Sequence, residues 1–230
     1  MAGDPVPYSV GRDNLITALL LACFVFGAIA LSKSRGFMSR QARRFFRASR
    51  DDAGALTETS SELRFQFFLM MQTCLLLSLV TFFYIQTYVT DTFVVDQYVV
   101  IGAFFAIFVT YVMLKMLLQW LCGIVFFSRR RNESWMKSLL FIMSIEGLCL
   151  LPVVLLHAYF GFSVGNTLLS VSVVVIFSKI LSFYKIYNIF FRRREAILQF
   201  FLYFCALEIM PVFALLGILG MAGDYLKVNF

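Results

Sequence analysis

Residues 98–121 read YVVIGAFFAIFVTYVMLKMLLQWL, and Lys115 is the one charged residue in this stretch. As an α-helix rising about 1.5 Å per residue, the stretch is about 36 Å long, which exceeds the roughly 30 Å hydrocarbon core of a bilayer. A backbone surrounded by lipid must satisfy its own hydrogen bonds, and a helix does so within a single segment. The stretch therefore predicts a transmembrane helix.

Five further apolar runs of similar character occur along the 230-residue chain, which is 61% apolar and only 14% charged. We therefore predict an all-α polytopic membrane protein with about six transmembrane helices in a single domain, residues 1–230. The end of the third span is the least defined, because apolar residues continue to Phe127. The predicted spans are Leu15–Leu31, Phe65–Val89, Tyr98–Leu121, Leu139–Tyr159, Asn166–Tyr187 and Ala196–Met221.

Basic residues are concentrated in alternate connecting segments. Eight lie in residues 33–64, four in Ser128–Ser138 and three in the turn Arg192–Arg194, whereas the other connections hold few. Because basic loops stay in the cytoplasm, this pattern places all three segments there and both termini on the outer side.

The basic segment of residues 33–50 alternates arginines with aromatic residues, a pattern typical of a helix lying on an anionic membrane surface. A solvated loop that only sets topology explains it equally well. Since the arginines lie in membrane loops and not on a soluble module, nucleic-acid binding is not indicated. The residues expected to contact anionic lipid or an acidic partner are Arg40, Arg43, Arg44, Arg47, Arg129, Arg130, Arg131, Arg192, Arg193 and Arg194.

The second and third hairpins form an internal repeat. Residues 115–127 align with 179–191, and each of these segments leads to an arginine triplet and then a span with one Glu and one Pro. Both hairpins run in the same direction, so the repeat is parallel and unlike the inverted repeats of many carriers. The first hairpin offers Gln72 and no acid. The repeated residues are Lys115 with Lys179, Glu146 with Glu208, and Pro152 with Pro211.

Lys115, Glu146, Lys179 and Glu208 are the candidate functional residues, because each costs roughly 2.5–3.5 kcal/mol in hydrocarbon unless it faces an opposite charge or water. We predict a buried charged centre with Lys–Glu pairs, formed within one hairpin or between the two copies. Its role is either structural, holding helices together, or that of a proton or ion relay. The two prolines are expected to kink their helices and free backbone carbonyls.

The sequence contains few features that indicate catalysis. The chain has a single histidine, and its five cysteines lie in apolar runs without CxxC spacing. Phosphate-binding, dinucleotide-binding and hydrolase motifs are missing from the sequence. We therefore expect no catalytic residue, no metal site and no cofactor.

Residues 202–211, LYFCALEIMP, carry a family resemblance. The stretch resembles the C-terminal signature of an uncharacterised family of polytopic inner-membrane proteins of Bacteroidetes-type bacteria, catalogued as a domain of unknown function. The resemblance implies a bacterial inner-membrane location, and it implies no activity or cofactor. In such a membrane, the distribution of basic residues predicts both termini in the periplasm.

These observations favour a non-enzymatic subunit or scaffold of a membrane protein complex. Its expected partners are other membrane proteins or a second copy, together with anionic lipid headgroups. A small proton- or ion-coupled transport component is the alternative, and a membrane enzyme acting on a lipid-linked substrate is the third hypothesis.

Overall fold

The apolar segments fold into helices in the computed structural model, which describes residues 16–29, 32, 60–88, 97–126, 129–190 and 205–225. All regular secondary structure within these residues is helical, which confirms the predicted fold class. A π-helical turn, Cys205–Ile209, directly precedes the last helix. The α-helices are α1 (Ile16–Ile29), α2 (Ser60–Tyr88), α3 (Gln97–Phe126), α4 (Arg129–Phe160), α5 (Val164–Phe190) and α6 (Met210–Tyr225).

Four of these helices, α2 to α5, are long and apolar enough to cross a membrane. Their apolar parts are Arg64–Tyr88, Tyr98–Val125, Asn132–Phe160 and Val164–Tyr187. Of two shorter apolar helices, Ile16–Ile29 lies within the predicted first span, and Leu207–Ala222 overlaps the predicted last span and ends one residue beyond it. Residues 196–204 of the predicted last span are outside the described residues. The fold is therefore that of a polytopic α-helical membrane protein.

Helix α4 begins at Arg129, ten residues before the predicted span, so most of the expected connecting segment Ser128–Ser138 is helical. Trp135 and Leu139 explain the difference. These residues lie one turn apart, are both buried, and pack with Ile186 of α5. The apolar stripe of the helix thus continues into a segment whose arginines suggested a loop.

Helix α2 is the centre of the bundle and packs against α3, α4 and α5. Its apolar span is 67% buried, whereas that of α5 is 22% buried. The backbones of α2 and α4 approach closely at Gly147, because a Cβ there would collide with Thr73 Oγ1. The Thr73 hydroxyl donates to the carbonyls of Leu69, at 2.8 Å, and Met143, at 3.0 Å. Small residues at such crossings permit tight helix packing in membranes.

The connection between α4 and α5 marks one end of the bundle, hereafter the Gly161 end. Helix α4 stops at Gly161, whose φ of 64° is the left-handed conformation that glycine adopts without a Cβ penalty. Ser163 Oγ then accepts the Asn166 N–H at 3.4 Å and caps α5. His157 Nδ1 lies 2.7 Å from the Phe162 carbonyl oxygen, which ties α4 to this connection.

The largest apolar cluster fills the Gly161 end and is here named the phenylalanine cluster. It combines the C-terminal halves of α2 and α4 with the N-terminal parts of α1, α3 and α5. Its buried members include Phe82, Phe83, Phe104, Leu150 and Val154. The opposite end of the bundle, where α4 starts, is hereafter the Arg129 end.

Candidate functional site

Glu208 lies in the π-helical turn that precedes α6. Pro211 follows three residues later and has no N–H, so it cannot donate to the carbonyl of Leu207, four residues before it. The regular α-helical ladder is therefore broken at this point, and single π turns of this kind are frequent at functional sites. The turn packs against α3, and Glu208 is only 1% exposed.

Two lysines converge on this one carboxylate. Lys115 Nζ on α3 lies 2.7 Å from Glu208 Oε2, and Lys179 Nζ on α5 lies 2.8 Å from the same oxygen. Gln119 Nε2, also on α3, donates to Glu208 Oε1 at 2.9 Å. Both carboxylate oxygens are therefore bonded, and the charged centre, defined as Lys115, Gln119, Lys179 and Glu208, joins three segments of the chain.

Helix periodicity explains how α3 supplies two of these groups. Lys115 and Gln119 are four residues apart and so share one face of α3, with Tyr111 one turn before them. The two lysines are equivalent in the repeat, since each lies eleven residues before the last described residue of its helix. The sequence prediction missed Gln119, although its spacing from Lys115 in an apolar run was an available signal.

Burial differs between the two lysines. Lys115 is 4% exposed and Gln119 is fully buried, whereas the Lys179 side chain is 29% exposed. The contact between Lys115 and Glu208 is therefore shielded from bulk solvent, whereas Lys179 reaches the same carboxylate from the edge of the bundle. Charge-assisted hydrogen bonds in such a buried setting are stronger than they are in bulk water.

Glu146 is placed beside the charged centre and not inside it. It lies near the middle of α4, close to the hydroxyl of Ser178 and within electrostatic range of both lysines. The lysines make their direct contacts with Glu208. With Glu146 included, the two positive charges of the region face two carboxylates.

The other predicted residues are placed as follows. Pro152 lies within α4, which continues through it, and Pro211 is the second residue of α6. Residues 129–131 form the first turn of α4, whose backbone alone is described. The arginines at 40, 43, 44, 47 and 192–194 lie outside the described residues. Among the described residues, no group of three or more His, Cys, Asp or Glu side chains could hold a metal ion.

The arrangement supports two kinds of chemistry. A carboxylate that accepts three hydrogen bonds is a fixed point that resists separation of its helices, because removing any partner leaves a buried polar group unsatisfied. The two lysines and the glutamate are also titratable, and a chain of titratable side chains within a membrane can pass protons.

Comparison with known proteins gives one match. The family model described as a domain of unknown function, DUF4271, matches residues 16–219, a range that includes the whole charged centre. No curated protein matches the chain. No solved structure matches it.

Proposed function

Because the chain belongs to this family of unknown function, which supplies no activity, we propose from the geometry that it is a scaffold subunit of a membrane protein complex. The observation that carries the proposal is the triple contact on Glu208 from Lys115, Gln119 and Lys179. It fixes the last helix against α3 and α5 through ionic and hydrogen bonds that lipid cannot replace.

A rigid bundle suits a scaffold because binding of a partner then requires no loss of conformational entropy to order the helices. The faces that the described helices leave free for lipid or a partner are large, since only 33% of the α3 span and 22% of the α5 span are buried. We propose that other membrane proteins or a second copy occupy part of this surface. Anionic headgroups are the proposed contact of the basic segments.

Purification tests the scaffold directly. A tagged chain extracted from native membranes in a gentle detergent should carry at least one other membrane protein in fixed stoichiometry, measured by native mass spectrometry. Recovery of the chain by itself, free of any partner, would overturn the proposal.

We also propose that the membrane is a bacterial inner membrane, crossed six times, with the Arg129 end in the cytoplasm and both termini in the periplasm. The support is the concentration of Lys and Arg in alternate connections. Alkaline phosphatase fused after residue 162 should be active, because it folds outside the cytoplasm. Green fluorescent protein fused after residue 128 should fluoresce, and the reverse pattern would invert the topology.

A proton or ion relay is the second candidate. Two observations favour it. Glu146 lies near both lysines while the lysines bond to Glu208. The side chain of Lys179 is also 29% exposed. Proteoliposomes containing the wild-type chain and a pH-sensitive dye would then show a flux that Glu146→Gln abolishes without loss of the folded protein. Such a result would place the relay ahead of the scaffold.

A further inference from the structure

Three deeply buried polar atoms of α3 and α4, one in the charged centre and two between it and the Arg129 end, have no hydrogen-bond partner among the described residues. They are Gln119 Oε1, Asn132 Oδ1 and Trp135 Nε1. Each residue is more than nine-tenths buried. An unsatisfied polar group of this kind costs about 1–3 kcal/mol, so three of them in one region require a physical explanation.

The contacts between α3 and α4 set these three residues along one stretch of the interface between the two helices. Asn132 packs directly against Gly123 and donates from Nδ2 to the Trp120 carbonyl at 3.4 Å. Trp135 belongs to the small apolar cluster that Met116 packs against. Gln119 lies between these contact positions on α3. At about 1.5 Å per residue, Gln119 is only about 6 Å along the helix from the glycine that Asn132 covers.

The chemistry of the three atoms matches bound water. The indole N–H of Trp135 can only donate, and the two amide oxygens accept. A water molecule both donates and accepts, and buried waters typically bridge two to four such groups. Gln119 also donates to Glu208, so water bound at its oxygen is one side chain away from the charged centre.

The Gly161 side of the centre has the opposite character. The phenylalanine cluster there includes Phe82, Phe104 and Leu150, all fully buried, and apolar surroundings of this kind stay dry. Asn132, by contrast, lies only three residues from the start of α4 and therefore close to the basic end of the bundle.

We infer that Gln119, Asn132 and Trp135 bind a short file of water molecules that joins the charged centre to the Arg129 end, while the phenylalanine cluster closes the Gly161 end. The ligand is water, which gives protons access to Glu208 from the Arg129 end and not from the Gly161 end. The inference goes beyond the scaffold, because it concerns access to the centre and holds whether that centre acts as a lock or as a relay.

Hydrogen exchange of the indole N–H tests the file. The chain has two tryptophans, so Trp120→Phe leaves Trp135 as the single indole. After transfer of the micellar protein to D₂O, its ¹⁵N-edited NMR signal should disappear within minutes although Trp135 is 1% exposed. Adding Asn132→Leu should slow this loss at least about tenfold, because hydroxide-catalysed exchange requires water at the N–H.

The matched control places an indole on the dry side. Phe104→Trp, in a chain with Trp120→Phe and Trp135→Phe, puts a tryptophan at an equally buried site in the phenylalanine cluster. Its N–H should remain protected for hours. Equal protection at both positions would exclude the water file, and equally fast exchange at both would exclude the closed end.

A second measurement needs no substitution. X-ray radiolysis splits water where it is bound and oxidises the side chains beside it. After correction for intrinsic reactivity, Trp135 and Met116 should be oxidised and Phe82 should not. Unmodified Trp135 would contradict the inference, even if every variant failed to fold. The scaffold proposal would survive that outcome, because it depends on the co-purification of a partner.

Discussion

Neutralising Glu208 gives the sharpest test of the charged centre. Glu208→Gln keeps the size of the side chain but leaves Lys115, 4% exposed, without an anionic partner. Removing one member of a buried ion pair costs about 3–5 kcal/mol, because the other charge remains buried. The loss of the contact with Lys179 destabilises the protein less, since the partly exposed Lys179 side chain can extend toward the surface. We therefore expect the free energy of unfolding to fall by about 3–5 kcal/mol.

Unfolding by SDS in mixed micelles, followed by tryptophan fluorescence, measures this change. Glu146→Gln is the matched control, since it makes the same substitution at the glutamate of the other copy of the repeat. Glu146 lies near the lysines, but their direct contacts are with Glu208, so its loss should be clearly smaller. Equal losses in the two variants would refute the assignment of Glu208 as the fixed point of the bundle.

A double variant separates the ion pair from its surroundings. Lys115→Met combined with Glu208→Gln removes both members of the buried pair, and a buried pair replaced by neutral side chains is often tolerated. The double variant should therefore be more stable than the sum of the two single losses predicts, by a coupling energy of about 0.5–3 kcal/mol. Additive losses would show that Lys115 and Glu208 do not interact in the folded protein.

Four other substitutions have expected outcomes in the same unfolding assay. Gln72→Leu should stabilise the chain by about 1–3 kcal/mol, because both amide atoms of this buried side chain lack partners among the described residues; a loss of stability would show that they are satisfied. Gly147→Ala should destabilise it by about 1–3 kcal/mol, because the added Cβ collides with Thr73 Oγ1, whereas Gly102→Ala should stabilise it by about 0.5–1 kcal/mol. Equal effects at the two glycines would argue against a tight crossing of α2 and α4. Gly161→Ala should cost about 1–2 kcal/mol through its left-handed φ, and a neutral result would mean that the end of α4 relaxes.

Hydropathy predicts the helices because the cost of an unpaired backbone in lipid depends on a local run of residues and not on distant contacts. Helix α4 extends beyond the predicted span at a point where a local cue competed with packing. The arginines at 129–131 suggested a loop, but Trp135 and Leu139 pack with Ile186 and extend α4 to Arg129. The partner of this stripe lies on α5, far along the chain, so the local pattern could not reveal it.

The lysine and glutamate residues of the candidate site were found from the insertion cost of their charges, which is also a local quantity. Their pairing was left open. Lys115 and Glu208 are 93 positions apart, and the π-helical turn that presents Glu208 depends on how the chain enters α6. Gln119 was missed because an uncharged amide carries no comparable cost. Its importance appears only when the carboxylate beside it is known.

The two copies of the repeat are alike in sequence but unequal in the structure. Equivalent copies would pair each lysine with the glutamate of its own hairpin. Instead, Lys115 and Lys179 both contact Glu208, and Glu146 lies beside Ser178. The second copy therefore supplies the contact that holds α3, α5 and the last helix together, and the first copy contributes a carboxylate that this contact does not use. A scaffold role requires only Glu208. Any role that depends on Glu146 would therefore identify what the protein does beyond holding its own helices together.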